Sequence, residues 1–333
     1  MTIIEQDIIS EIIDNIFFND GTSVKSRASK PVIKDLNLGF SVDITDLEMH
    51  HAQEVRSEVV KRINAVIRFE KISIVLTSSR RTPETKAIQQ PKLHIEGVKN
   101  IYLIASGKGG VGKSTVTALI AYKLLGLGKR VGIVDADIYG PSIPNIFGVN
   151  SMPEIVDKRM VALQSHGIKL NSIGFISAPT SSISWRGPMA GKALYQLLSL
   201  TNWGELDYLI IDSPPGTGDI HLSLLQNYNI DQVFAVTTPQ KISTTDVARA
   251  LNLYKKFGVH IAGIIENMSH YIDPKTNEQI KIFSGNGGEK LSADFNIPLI
   301  AQIPVLPELS VRCDAGEDLS NFIYLLPQLG IAK

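Results

Sequence analysis

An eight-residue segment, GKGGVGKS from Gly107 to Ser114, constrains the fold of this chain more than any other feature. It fits the pattern G-x-x-x-x-G-K-[ST], in which glycines let successive backbone N–H groups curl around a phosphate. The apolar run NIYLIA precedes it, and the helical pattern KSTVTALIAYKLL leaves it. A strand, a glycine-rich loop and a helix in this order predict an α/β fold that binds phosphate at a helix N-terminus.

The chain after His94 alternates short apolar runs with segments of helical periodicity. The later runs are RVGIVDA, DYLIID, QVFAVT and HIAGIIEN. Continuous apolar runs of this length, separated by helices, are typical of a parallel sheet covered on both faces. We therefore expect a doubly wound, mostly parallel sheet of the P-loop NTPase type.

The first 80 residues have a different organisation. Apolar residues recur at helical spacing near the start, and two strand patterns, at 36–44 and 71–77, flank a helical stretch at 52–67. Residues 81–95 have two prolines and no apolar periodicity, which is linker composition. The prediction is a small α+β domain at 1–80, a linker at 81–95 and the phosphate-binding domain at 96–330.

Composition argues against several classes of partner. Lys+Arg and Asp+Glu are 33 each, so the net charge is zero, and we expect no nucleic-acid partner. No apolar run approaches the roughly 18 residues that span a bilayer, and the C-terminus lacks a basic amphipathic helix, so we expect no membrane partner. The acidic N-terminus is unlike a signal peptide or presequence. Because the single cysteine, Cys313, also fits a reducing compartment, we expect a cytoplasmic protein.

Several side chains suit phosphate and magnesium chemistry. In a loop of this pattern Lys113 reaches the β- and γ-phosphates, and the hydroxyl of Ser114 ligates Mg²⁺. Asp212 ends an apolar run and is placed to hold Mg²⁺ through water. Asp135 and Asp137 end another run, and carboxylates at the C-terminal edge of a parallel sheet face the ligand crevice. For these two, capping or a solvated turn remains the alternative.

Six ordered blocks of the sequence, spread over about residues 95–325, are similar to those of one family. They are KGGVGKS, VDADIYGPSIPNIFG, WRGPM, DSPPGTGD, TTPQ and ENMS. Together they resemble the Mrp/ApbC family of iron–sulfur cluster carrier ATPases. The loop, with its extra lysine Lys108, looks like the deviant phosphate loop of the MinD/ParA/nitrogenase iron-protein class. The N-terminal unit resembles, more weakly, the small domain fused to many bacterial members and found in iron–sulfur assembly factors.

The resemblance implies a Mg²⁺-dependent homodimer that hydrolyses ATP and acts in iron–sulfur cluster carriage or protein maturation, with client or assembly proteins as partners. It implies that Lys108 crosses the dimer interface to touch the other subunit's phosphates, as an arginine finger does. It further implies that Asp137 positions or activates the attacking water, and that Asn267 recognises adenine. The block with Trp185 and Arg186 has no assigned chemistry. The nucleotide-binding residues implied within the loop are Gly107, Lys108, Gly109, Gly110, Val111, Gly112, Lys113, Ser114 and Thr115.

One family motif is missing from this chain. Many members follow ENMS within a few residues by Cys-Pro-x-Cys, whose paired thiolates bridge a cluster between subunits. Here Asp273 and Thr276 stand at the cysteine positions. A cubane cluster needs four thiolates or close substitutes, and two copies of this chain supply two. Asp273 with His270 is more typical of a surface turn than of a metal site. We therefore expect an ATPase whose own cluster ligands are missing and whose 273–278 segment is a solvated hairpin turn.

Two other interpretations remain open at this stage. One is a positioning ATPase of the MinD/ParA type, although neither the zero net charge nor the C-terminus favours DNA or membrane as its surface. The other is a nucleotide-dependent scaffold with little hydrolysis, in which the N-terminal unit recruits a partner. Comparing the turnover of the wild type with that of Asp137→Ala separates an ATPase from a scaffold.

Overall fold

The structure, a computed structural model, describes residues 3–34, 36–78, 92–138, 140–176, 187–327 and 329. The chain divides into two compact units, Met1–Gln89 and Gln90–Lys333. The boundary falls inside the predicted linker, most of which lies outside the described residues. Trp185 and Arg186 also lie outside them.

In its described residues, the first unit combines a three-stranded sheet with three helices. Its sheet order is β1-β2-β3, with β1 antiparallel and β3 parallel to β2. Alternate residues of β2 (Leu38, Phe40 and Val42) are buried in a core that the helices share. The four-residue helix α2 and three-residue strand β1 escaped prediction because elements this short carry no periodicity. The elements are α1 (Ile3–Asp14), α2 (Val24–Arg27), β1 (Val32–Lys34), β2 (Asn37–Asp43), α3 (Met49–Val66) and β3 (Lys71–Thr77).

The second unit alternates strands and helices, as predicted. None of the described helices is both long enough and apolar enough to cross a bilayer. Two short 3-10 helices, Ile173–Phe175 and Ser320–Leu325, complete it. The elements are β4 (Val98–Ser106), α4 (Lys113–Gly126), β5 (Val131–Asp135), α5 (Ile143–Ile146), β6 (Ile155–Val156), β7 (Arg159–Val161), β8 (Leu163–Ser165), β9 (Ile168–Ser172), α6 (Gly187–Ser199), β10 (Thr201–Asn202), β11 (Leu206–Asp212), α7 (Asp219–Asn227), β12 (Gln232–Thr237), α8 (Lys241–Lys256), β13 (Ile261–Glu266), β14 (Tyr271–Ile272), β15 (Gln279–Ile280), α9 (Gly287–Phe295), β16 (Leu299–Gln302) and α10 (Pro307–Ala315).

An eight-stranded sheet organises this unit, in the order β16-β13-β12-β4-β11-β5-β9-β8. Every described neighbouring pair is parallel except β8 with β9. The prediction of a doubly wound, mostly parallel sheet is therefore confirmed. Two small additions, the β6-β7-β10 sheet and the β14-β15 hairpin, lie outside it.

Both faces of the central sheet are buried, which explains its continuous apolar runs. In β11, Leu209 and Ile211 pack into one core cluster with α6, α7 and α8. The alternating residues Tyr208 and Ile210 pack into a second cluster with α4. Because successive side chains of a strand point to opposite faces, a strand covered on both sides must be apolar throughout.

The C-terminal edge of the sheet gathers the chemically active segments. Strand β4 runs into the phosphate loop, β5 and β11 end at Asp135 and Asp212, and Asn267 follows β13. After β4 the chain continues to β5 and β11 on one side and to β12 and β13 on the other. Such a change of direction opens a ligand-binding crevice at the carboxyl ends of the strands.

Candidate functional site

The phosphate loop requires glycine at three positions, for two reasons. Gly110 and Gly112 have φ of 79° and 82°, in the left-handed region that favours glycine. The amide of Asn267 also approaches Gly112 so closely that a side chain there would overlap it. At Gly107 the constraint is steric, because a Cβ would overlap the backbone nitrogen of Val247 in α8. The loop is therefore held against two neighbouring segments.

The first turn of α4 converges on Asp212. The ammonium group of Lys113 lies 2.7 Å from Oδ1 of Asp212, and the hydroxyl of Ser114 donates to Oδ2 at 2.6 Å. The hydroxyl of Thr117, one turn further along α4, lies 2.9 Å from Oδ1. Lys113 and Asp212 are 6% and 0% exposed, and Oδ2 of Asp137 lies 3.9 Å from the Lys113 ammonium. Such a buried charge pair is tolerated only where hydrogen bonds satisfy both partners, as they do here.

Asp135 organises the loop that carries Asp137. Its carboxylate accepts hydrogen bonds from the backbone N–H groups of Asp137 at 3.1 Å, Ser142 at 3.0 Å and Ile143 at 3.1 Å. The hydroxyl of Ser172 donates to it at 3.2 Å. These bonds pin both ends of the 137–142 segment with one side chain.

Asp135 and Asp137 consequently have different surroundings. Burial, and after it the negative charge of Asp212 on the neighbouring strand, raises the pKa of Asp135 above its ordinary value. Asp135 is 0% exposed, whereas Asp137 lines the cavity beside the phosphate loop. The structure thus places Asp137 at the crevice and gives Asp135 the capping role that the sequence left open.

Lys108 lies on the α8 side of the loop. Its ammonium nitrogen is 3.5 Å from Oδ2 of Asp246, a residue of α8 that also pairs with Arg249 at 3.0 Å. The backbone carbonyl of Lys108 accepts a hydrogen bond from the hydroxyl of Ser106 at 2.9 Å. The Lys108 side chain is about one-third exposed, and the Asp246 carboxylate holds it within its own chain.

A cavity of about 630 Å³ extends from the phosphate loop toward α10. Asn267 lines it and donates from Nδ2 to the carbonyl oxygen of Val111 at 2.9 Å. Cys313 is part of the wall, and burial raises the pKa of its thiol, which favours the protonated form. Sequence reasoning missed the far wall, because it belongs to no motif: Pro304, Val305, Leu306, Leu309, Ser310, Cys313 and Asp314.

The 273–278 segment is a hairpin turn between β14 and β15, as predicted. Oδ1 of Asp273 accepts hydrogen bonds from the backbone N–H groups of Lys275 at 2.7 Å and Thr276 at 3.2 Å. Its carboxylate therefore shapes the turn. Across the described part of the chain, no group of three or more His, Cys, Asp or Glu side chains is arranged to hold a metal ion.

Comparison with known proteins gives three consistent findings. Residues 97–324 match the family described as ParA, NUBPL iron-transfer P-loop NTPase. An "iron-sulfur cluster carrier protein" of Rickettsia bellii is 50% identical over 325 residues, 98% of each chain, and one of Synechocystis is 37% identical over 320 residues, 93% of this chain and 89% of its own. The solved structure of a nucleotide-binding protein from Archaeoglobus fulgidus in complex with ADP is 32% identical, with a TM-score of 0.63, over 71% of this chain and 94% of its own.

Proposed function

Because this chain belongs to the iron-transfer P-loop NTPase family of iron–sulfur cluster carrier proteins, we propose that it is a homodimeric, Mg²⁺-dependent ATPase. Members of a P-loop NTPase family hydrolyse nucleotides, and the proposal adds ATP as the substrate. The observation that carries it is the convergence of Lys113 and Ser114 on Asp212, at 2.7 and 2.6 Å, beside a glycine loop. A lysine, a hydroxyl and a carboxylate in this relation are the components of phosphate and magnesium binding.

The donor set fits Mg²⁺. The hydroxyl of Ser114 and the carboxylate of Asp212 both present oxygen atoms, the hard ligands that Mg²⁺ prefers, and substrate phosphates and water complete such sites. When bound, the ion neutralises charge on the phosphate oxygens. These two residues would hold it, and Thr117 would keep the Asp212 carboxylate oriented.

Three further side chains complete the proposed chemistry. Lys113 leaves Asp212 for the β- and γ-phosphates, where its charge stabilises bound nucleotide. Asp137, held at the crevice by Asp135, orients the attacking water. The partner subunit's Lys108 adds a positive charge as the γ-phosphoryl group departs, the role that a trans-acting cation has in phosphoryl transfer.

The nucleoside is proposed to lie in the 630 Å³ cavity between the loop and α10. Asn267 lines this cavity, and we assign its side-chain amide to recognition of the adenine base. The relative from Archaeoglobus fulgidus is described in complex with ADP, which supports an adenine nucleotide as the ligand.

In this proposal an iron–sulfur cluster is cargo and not a resident cofactor of the protein. The relatives are named cluster carriers, yet this chain has one cysteine, Cys313, and it is buried. The residues at 273 and 276 are a turn-forming aspartate and a threonine, which do not fit an iron cluster. We therefore propose that the protein acts in the cytoplasm, in iron–sulfur carriage or maturation, with cluster thiolates supplied by client or assembly proteins.

Phosphate release and nucleotide binding, measured on two variants, test the ATPase proposal. Lys113→Ala removes the charge that meets phosphate in both ground and transition states, so binding is lost. Asp137→Ala removes a group needed only with the attacking water, so binding remains and hydrolysis stops. Lys129→Ala, at an exposed lysine, is the control and should match the wild type. Equal, weak binding in both site variants would refute this division of roles, and binding without turnover in the wild type would indicate a scaffold.

A further inference from the structure

His221 of α7 joins two segments that flank the candidate site. Its Nε2 lies 2.8 Å from the carbonyl oxygen of Pro214, in the loop that follows Asp212. Its Nδ1 lies 2.8 Å from the hydroxyl of Tyr254, in α8. Both His221 and Tyr254 are 0% exposed. Neither residue belongs to the nucleotide site described above.

The direction of these hydrogen bonds follows from chemistry. A carbonyl oxygen can only accept, so Nε2 of His221 carries a proton and donates to Pro214. Burial lowers the pKa of His221 to about 4, so the ring is neutral near pH 7 and its Nδ1 is an acceptor. Tyr254 must then donate. The hydroxyl of Tyr254 therefore donates to Nδ1 of His221, and the Nε2–H of His221 donates to the carbonyl oxygen of Pro214.

The Pro214 end of this relay borders the cavity. The next residue, Pro215, lines the cavity and lies 4.0 Å from the position of a Cβ at Gly109. The N–H of Gly216 donates to the carbonyl of Ser106, at the start of the phosphate loop, at 2.9 Å. The 213–218 loop therefore lies against the phosphate loop, and its Pro215 lines the same cavity as Lys113, the residue proposed to meet the γ-phosphate.

The Tyr254 end belongs to α8, a helix that also contacts the phosphate loop. Helix α8 packs its backbone at Val247 against Gly107, and its Asp246 holds Lys108. Val247 and Tyr254 are seven residues apart, close to two full helical turns, and so share the buried face of α8.

The need of a buried histidine for hydrogen-bond partners does not by itself explain this arrangement. A hydrogen bond between buried neutral groups adds little net stability compared with apolar side chains of the same shape. What the relay supplies is a fixed direction and distance between two segments that both contact the phosphate loop.

We propose that His221 and Tyr254 are a positioning pair that ties the 213–218 loop to α8, so that the site distinguishes a nucleoside triphosphate from a diphosphate. This proposal rests on the proposed ATPase function, because a loop that contacts the third phosphate has a role only if the site binds a nucleoside triphosphate. Breaking the hydrogen bonds of this pair should weaken triphosphate binding selectively, because in this proposal only the third phosphate reaches the 213–218 loop.

Affinities for ADP and for a non-hydrolysable ATP analogue, measured on purified Tyr254→Phe, test this pair. Removing one hydroxyl keeps the ring, and the analogue should bind about fivefold to tenfold more weakly while ADP affinity stays within about twofold. His221→Gln keeps an amide that can donate to Pro214, so it should retain part of the discrimination. Tyr228→Phe is the matched control: it removes another buried tyrosine hydroxyl, bonded to Ser199 at 2.9 Å, and should leave both affinities unchanged.

Three outcomes would overturn the pair's role: an equal loss for both nucleotides, no loss for either, or a wild type without preference for the third phosphate. Failure of the underlying function gives a different result. In that case neither nucleotide binds to the wild type, or Lys113→Ala binds both as the wild type does.

Discussion

The ammonium nitrogen of Lys108 lies 3.5 Å from Oδ2 of Asp246 in the same chain, whereas that of Lys113 lies 2.7 Å from Oδ1 of Asp212. The two lysines of one short loop thus have separate carboxylates. Lys113 is buried with its partner, whereas Lys108 is about one-third exposed and within reach of another molecule. This difference fits a division of labour in which one lysine binds and the other is delivered to a second subunit.

Mixing two inactive variants tests whether Lys108 acts across a dimer. Lys108→Ala and Asp137→Ala should each bind ATP without hydrolysing it. Random pairing should restore about a quarter of the wild-type rate, because half of the dimers are mixed and each has one complete site. The measurement is phosphate release after confirmed subunit exchange. No recovery would assign Lys108 to its own site.

The ion pair between Asp246 and Lys108 predicts an effect on dimer formation. Asp246→Asn keeps the size of the side chain and removes its charge, so Lys108 is released for the partner's phosphates. Since exposed ion pairs contribute at most about 1 kcal/mol, the protein concentration for half-maximal ATPase rate should fall by about threefold. Arg249→Gln, which removes the second partner of Asp246, is the control and should not lower that concentration. An unchanged value in Asp246→Asn contradicts the idea.

Thr117 is predicted to matter for catalysis through Asp212. Its hydroxyl lies 2.9 Å from Oδ1 of Asp212 and 3.0 Å from the backbone carbonyl of Lys113. Thr117→Val preserves shape and removes a hydrogen bond to a charged group, so kcat should fall about tenfold with little change in KM. Thr245→Val, at an exposed position, is the control, because its hydroxyl likewise donates to the carbonyl four residues earlier, at Lys241, at 3.0 Å. An equal fall of kcat in both variants would show that Thr117 acts only within its helix and not through Asp212.

Burial of His221 predicts a pH dependence of stability. Its pKa is lowered to about 4 in the folded protein from 6.5, so the unfolded chain binds a proton first as pH falls. The contribution of neutral His221 is complete above pH 6.5 and lost progressively between pH 6.5 and 4. It should amount to about 3 kcal/mol of unfolding free energy. Urea unfolding at several pH values should show this slope reduced in His221→Gln. The exposed His260→Gln should keep the wild-type slope.

The hairpin at 273–278 predicts that the protein alone holds no stable four-iron cluster. Threonine stays protonated near neutral pH, and the Asp273 carboxylate is engaged by its own turn. After anaerobic reconstitution, visible and Mössbauer spectra of the wild type should lack a cluster signal, whereas Asp273→Cys with Thr276→Cys should acquire one. ATP hydrolysis should be little affected by that double change. About one cluster per dimer in the wild type, lost on changing Cys313 or Asp273, would contradict this.

The central sheet was predictable because its strands are buried on both faces. Within Leu206–Asp212 and Gln232–Thr237, residues 208–211 and 233–236 form consecutive apolar, buried runs, and this signal does not depend on distant residues. The two-residue strands β6, β10, β14 and β15 were missed. Strands this short exist because a neighbour pairs with them, so their cause lies outside their own sequence.

The residues of the candidate site likewise form two groups, one predictable from the sequence and one not. The phosphate loop, Ser114 and Asp212 follow a fixed spacing within segments, and the structure brings them together. Thr117 and Asp246 belong to no spacing rule, because each enters the site through the packing of a helix. The hydrogen bonds from the 137–142 segment to Asp135 could not be predicted either, because two aspartates separated by one residue do not reveal which one faces inward.

The close approach of Gly107 to Val247 has a consequence for how such a protein can evolve. Any side chain at position 107 would displace α8, whose backbone occupies that space. The freedom of the phosphate loop to vary is therefore limited by a helix about 140 positions away in the sequence. Substitutions in the two segments should therefore be strongly epistatic. A side chain at position 107 becomes acceptable only after a compensating change in α8, and the reverse holds for changes in α8.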